Sequence, residues 1–184
     1  SWSYLRPRKW WMRLIAFTAK CQRVDIRTQY LKYGVRCFDL RVRLDEDGAL
    51  IVAHGRVEYE IDEFHLYEEL TCINGNGDCF VRILLEVRRE KDYTQDQQKS
   101  FQEFCAKLEW QFTRIQFWCG RNLYNWEVEY RFACEEPTCE EIHGSVVSWL
   151  WGLWPWLYAV THNKAIKEKG TDKDILLIDY VDIG

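Results

Sequence analysis

The sequence predicts one α/β domain over residues 1–184, and three observations carry that expectation. Strand-like and helix-like segments alternate along most of the chain, the pattern of a sheet built by parallel pairing. Four of the strand segments have one apolar face and an opposite face that turns charged toward the C-terminal end. The chain is 47% hydrophobic and 16% aromatic, enough to bury a real core and to exclude wholesale disorder.

Residues 1–17 form a basic aromatic segment that includes "RPRKWWMR". From Ser1 to Arg43, 11 Lys/Arg stand against 2 Asp/Glu, although the whole chain carries a net charge of −4. Such an end attracts anions, either phosphate headgroups or nucleic acid. "QRVDIRTQYLKYG" (Gln22–Gly34) is helical in character and closes on a glycine suited to a C-cap. Strands are expected at Val35–Leu44 and Ala49–His54, separated by the turn "DEDG". "EIDEFHLYEEL" reads as a short acidic helix, "NGNGD" as a turn, and "FVRILLEVRRE" (Phe80–Glu90) as the most strand-like run. "TQDQQKSFQEFCAKLEWQF" is a helix with Phe101, Phe104, Cys105 and Leu108 on one face. "TRIQFWCG" and "WEVEYRFA" are further strands, "HNKAIKEKG" is a helix ended by Gly170, and "DILLIDYV" closes the chain as a strand.

Side chains alternate across a strand, so Cys37, Asp39, Arg41 and Arg43 share one face and Phe38, Leu40, Val42 and Leu44 the other. In "LIVAHG" the face of Leu50 and Val52 ends with His54. In "FVRILLEVRRE" Leu84, Glu86 and Arg88 oppose Val81, Ile83, Leu85 and Val87. In "DILLIDYV" Ile175 and Leu177 are followed by Asp179. A barrel or sheet with helices on its apolar faces would bring these ionisable ends together, where α/β barrels place their chemistry. An antiparallel sheet with one wet face and cross-strand ion pairs is the competing arrangement.

The segment "TAKCQRVDIRTQYLKYGVRCFDLRVRLDEDGALIVAHG" (Thr18–Gly55) resembles the X-domain of bacterial phosphatidylinositol-specific phospholipases C. "GVRCFDLR", followed at this distance by "AHG", carries the match. "ILLEVRRE" and "ILLIDYVD" are similar to later strands of that family. The resemblance implies a distorted, incomplete TIM-type barrel, here a reduced one, since barrels typically need roughly 200–250 residues. It also implies cleavage of an inositol-lipid phosphodiester by internal attack of the 2-hydroxyl. Arg41 then matches the arginine that neutralises the phosphate, Asp39 its neighbouring aspartate, and His54 the general acid. Glu86, Arg88 and Asp179 are expected to line the substrate, and Glu86 or Asp179 to serve as a substitute base. Arg41 stands where metal-dependent relatives carry a calcium-binding carboxylate, so no metal or other cofactor is expected. The family's first strand carries a "GTH(D/N)S"-like motif with the general base; this chain has "SWSYLRPRKWWMRL" in that region. Its Thr-His-Asn, at Thr161–Asn163, lies in a helical context, where His162 reads as a helix-cap or surface residue.

The expected function is a metal-independent phosphodiesterase acting on a lipid or small phosphodiester headgroup. The alternative is a headgroup binder that has lost the base. "VVSWLWGLWPWLYAV" (Val146–Val160) has no charge and four tryptophans, suited either to a membrane interface or to a core helix broken at Pro155. With the basic start it predicts a cytoplasmic protein that binds anionic bilayers peripherally; no nucleic-acid partner is expected. "WWMRLIAFTA" is interrupted by Arg13 and is not expected to act as a secretory signal. Eight cysteines show no zinc-ligand spacing, and local pairs (Cys72 with Cys79, Cys134 with Cys139) suit disulfides only in an oxidising compartment.

Overall fold

The structure is a computed structural model that describes residues 2, 4–45, 47–61, 63–75, 77, 79–86, 93–122, 139–142 and 154–184. In chain order the elements are α1 (Met12–Ile15), a 3₁₀ turn (Ala16–Thr18), α2 (Ile26–Tyr33), β1 (Cys37–Leu44), β2 (Leu50–His54) and β3 (Val57–Glu58). Then come α3 (Glu63–Ile73), β4 (Cys79–Glu86), α4 (Gln95–Gln111), β5 (Ile115–Asn122), β6 (Cys139–Ile142), α5 (Pro155–Lys169) and β7 (Ile175–Ile178).

Local chemistry sets the helix ends. The Asp25 carboxylate accepts from the Thr28 amide at 2.6 Å and starts α2 at Ile26, four residues later than expected. Gly34, at φ +68°, ends that helix in the left-handed conformation a glycine adopts without penalty. Thr94 and Gln97 cap α4 reciprocally, side chain to backbone in both directions. Pro155 begins α5, at a position where its missing N–H has no helical acceptor to lose.

β1, β4 and β5 run parallel, while β2 returns antiparallel beside β1. With β3 they form an open, mixed sheet in the order β3-β2-β1-β4-β5. Register sets Phe38, Val81 and Phe117 in one row and Leu40, Ile83 and Cys119 in the next, all buried. They join Leu66, Leu70 and Ile73 of α3 and Phe101, Phe104, Cys105 and Leu108 of α4 in one core. Burying each large apolar side chain stabilises the fold by roughly 1.5–3 kcal/mol, so this face holds the sheet under its helices.

β2 pairs with β1 only through Leu50–Val52 and with β3 through Ala53 and His54. Its last two residues thus pair with β3 alone, and Gly55 lies in the turn between the two strands. The basic start does not lie free either. Pro7 bridges to Tyr59, the Arg8 amide donates to Glu58 O (2.8 Å), and the Glu60 amide to Arg6 O (2.9 Å), so residues 6–8 cover the β3 edge. Trp2, Met12 and Ala19 of this segment are buried.

The last strand departs from expectation. β7 approaches β1 but hydrogen-bonds in parallel to β6, as a second, two-stranded sheet. The segment after it docks on Cys21 and Gln22: the Tyr180 amide donates to Cys21 O (2.6 Å). The Gln22 amide group pairs with Ile178 O (3.2 Å) and with the Val181 N–H (3.1 Å). Cys72 and Cys79 are free thiols, one exposed and one buried, and no bridge joins them. "WEVEYRFA", Cys134 and residues 146–153 lie outside the described residues.

Candidate functional site

The other face of β1 and β4 carries the charge. Parallel register sets Asp39 beside Arg82, and the Asp39 carboxylate receives Arg82 Nε at 2.8 Å and Arg41 Nε at 3.0 Å. Glu86, at the end of β4, joins three partners: Arg43 Nη2 (3.1 Å), Arg41 Nη1 (3.8 Å) and the backbone amide of Gly55 (3.0 Å). Arg43 also donates to Gly55 O and lies 3.9 Å from Glu58. Three guanidiniums and three carboxylates thus interlock with little water around them. The Gly55 contacts tie the turn after His54 into the cluster.

Burial would raise the Asp39 carboxyl, but Arg41 and Arg82 outweigh it and hold the group well below the usual carboxylate range. For Glu86 burial wins and its carboxyl rises in spite of Arg41 and Arg43. The Arg41 guanidinium is desolvated, yet Asp39 and Glu86 raise it further, so it is a fixed cation.

His54 sits beside this cluster, and its contacts define its tautomer. Nδ1 lies 3.0 Å from Ala19 O, which only accepts, so Nδ1 carries the proton in the neutral ring. Burial, with Arg41 next, lowers its pKa from 6.5 to about 3. Its other nitrogen, Nε2, then presents a lone pair, and among the described residues it has no hydrogen-bond partner. Cys21 Sγ is 3.3 Å from Nδ1 and donates to Ala19 O at 3.6 Å, and the Asp179 carboxylate lies against the same thiol. Burial and Asp179 push that thiol well up, so it stays protonated. Asp179 therefore reaches His54 through Cys21. Tyr59 O–H also donates to Ala19 O, at 3.4 Å.

Two buried donors on the charged face have no acceptor in the protein, Arg43 Nε and the indole N–H of Trp118. Register places Trp118 beside Arg82, in the row of Asp39. Buried donors of this kind call for an acceptor, and an anion's oxygens would supply one. Among the described residues no group of three or more His, Cys, Asp or Glu is arranged to hold a metal ion.

Of the expected site residues, Asp39, Arg41 and Glu86 meet directly, and His54 and Asp179 join them through the field of Arg41 and the Cys21 thiol. Arg88 lies outside the described residues. His162 is mid-helix on α5, stacked on Tyr158 with centroids 4.2 Å apart, and it is Asn163 beside it that is buried. Arg82 and Cys21 were not anticipated. Alternation already put Arg82 on the face of Glu86, which is the signal that would have found it.

These features define a mixed α/β protein with a buried arginine–carboxylate cluster flanked by a neutral histidine. Neither a protein-family model nor a curated protein sequence matches the chain.

Proposed function

We propose that this chain is a metal-independent phosphodiesterase of the phosphatidylinositol-specific phospholipase C type, acting on a lipid or small phosphodiester headgroup. The observation that carries this reading is a fixed guanidinium, Arg41, whose field reaches a histidine with Nδ1 committed to Ala19 O and, among the described residues, no partner on Nε2. The orphaned donors of Arg43 and Trp118 favour an anionic ligand on the same face. The open sheet is then part of a reduced TIM-type barrel, with β7 approaching β1 as the remnant of closure.

The chemistry follows from the tautomer. A substrate hydroxyl next to the phosphodiester gives its proton to His54 Nε2, and its oxygen forms the new bond to phosphorus. The phosphorus–oxygen bond to the leaving alkoxide breaks, and water protonates the alkoxide. Arg41 balances the charge that gathers on the phosphoryl oxygens. The resemblance alone would make His54 the acid; the Nδ1–H tautomer and the depressed pKa favour the base. A bound phosphate, being anionic, would raise that pKa toward a useful value.

The second reading is a headgroup binder without turnover, favoured by the lack, among the described residues, of a second histidine at the cluster. Assays on inositol lipid and on soluble phosphodiesters in EDTA separate the two. Turnover that survives EDTA and falls by roughly a hundredfold or more in Arg41→Ala and His54→Ala supports the enzyme. Binding of the headgroup without turnover supports the binder. Among the described residues no helix is long and apolar enough to cross a membrane.

A further inference from the structure

Two segments far apart in sequence leave large apolar side chains exposed at one place. In the first, successive helical turns through α1 and the 3₁₀ turn space Trp10, Leu14 and Phe17 at four and three residues, which puts them on one side. Trp10 is 75% and Leu14 69% exposed. In the second, Trp154 and Trp156 stand exposed at the start of α5. Phe17 meets Trp154 edge-on at 6.0 Å, and Trp154 meets Trp156 at 6.3 Å, so the two sets form one surface. Around it Arg8, Lys9 and Arg13 are exposed, and no Asp or Glu occurs before Asp25 in the chain.

We infer that this surface is an interfacial anchor for an anionic lipid bilayer. Tryptophan rings belong at the depth where headgroups meet acyl chains, and exposed cations flanking them match an anionic leaflet. A second copy of this chain is the poorer occupant, because it would bring the same cations against these. The chain runs from Phe17 directly to Ala19 and Cys21, which hold His54, so an anchored molecule keeps its candidate site near the headgroups. This deepens the functional reading by naming what presents the substrate, but its test needs no turnover.

The test is co-sedimentation of the full chain with vesicles of phosphatidylcholine alone and of phosphatidylcholine with phosphatidylserine, at low and high salt. Partition should require phosphatidylserine and weaken with salt. Each cation near the surface is worth about fivefold, so Lys9→Gln with Arg13→Gln should lower low-salt partition roughly 30-fold. Phe17→Ser with Trp154→Ser should remove the part that high salt leaves behind. Both variants change exposed side chains, and unchanged thermal unfolding would verify their fold. No partition on either vesicle, or partition that ignores both variants, overturns the inference. So does concentration-dependent self-association abolished by Phe17→Ser with Trp154→Ser, which would give the face to a second copy. If vesicles bind while a soluble phosphodiester is never turned over, the enzymatic reading fails and the anchor stands.

Discussion

The two faces of β1 and β4 are made from alternate residues of the same two octapeptides, and they load the fold in opposite ways. On one, Phe38, Leu40, Val42, Val81, Ile83 and Leu85 are fully buried among apolar neighbours and need no directed bond. On the other, Asp39, Arg41, Arg43, Arg82 and Glu86 are also shielded from water, but each charge must find a partner to be tolerated. A sheet that only needed to fold would do as well with an apolar pair there, since replacing a buried ion pair by fitted hydrophobes is often neutral or stabilising. On the proposed function, these charges serve a ligand and His54 more than they serve stability.

The contrast can be broken from either side. Glu86→Ala should have the largest effect. It leaves Arg41, Arg43 and the Gly55 amide without their shared carboxylate, and breaking a buried pair on one side costs about 3–5 kcal/mol. Denaturant unfolding reads that loss, and Glu86→Gln, which can still accept from Gly55, should recover part of it. Leu40→Ala on the apolar face should cost about 2–5 kcal/mol while leaving the pH dependence of stability unchanged.

Asn163→Ala should come next, at about 1–3 kcal/mol. The Asn163 side chain donates to Asp179 O (2.8 Å) and Tyr180 O (3.0 Å), and it holds buried Tyr180 at φ +50°, a conformation side chains rarely adopt. Because Asp179 reaches His54 through Cys21, any turnover should fall in this variant by more than the folded fraction falls.

Acid probes the charged face without changing a residue. His54 titrates lower folded than unfolded, so from about pH 6.5 down toward 3 the unfolded chain takes up a proton the folded one refuses, and stability falls. Asp39 adds to that loss at still lower pH, since its carboxyl is depressed in the fold. Glu86, raised in the fold, opposes it. The His54 contribution has a slope of at most about 1.4 kcal/mol per pH unit. His54→Gln should flatten the upper part of the curve, seen as Tm against pH.

Much of this face was legible in the sequence, because strand alternation is local. It put Asp39, Arg41 and Glu86 on charged faces, just as the 3.6-residue period put Phe101, Phe104, Cys105 and Leu108 of α4 into the core. Gly34 marked its helix end for an equally local reason. What was missed depends on contacts between residues distant in the chain. Nothing in the sequence singled out Cys21, and only docking of the segment after β7 puts Asp179 against it. Arg82 shares the alternating face of Glu86, but its partner, Asp39, is set only by strand register. The pairing of β7 with β6, not with the main sheet, is likewise a choice of partner that a single strand's pattern does not encode.

The central claim is that a neutral, Nδ1-protonated His54 offers Nε2 to a ligand that Arg41 holds. Long-range ¹H–¹⁵N correlation spectra of labelled protein, with inorganic phosphate added, test it most directly. The account predicts the Nδ1–H tautomer persisting well below the pH at which free histidine titrates. On adding phosphate, Nε2 should shift and the pKa should rise in the wild type, and Arg41→Ala should show neither response. A His54 that titrates like the free side chain, or that ignores phosphate in the wild type, would contradict the account.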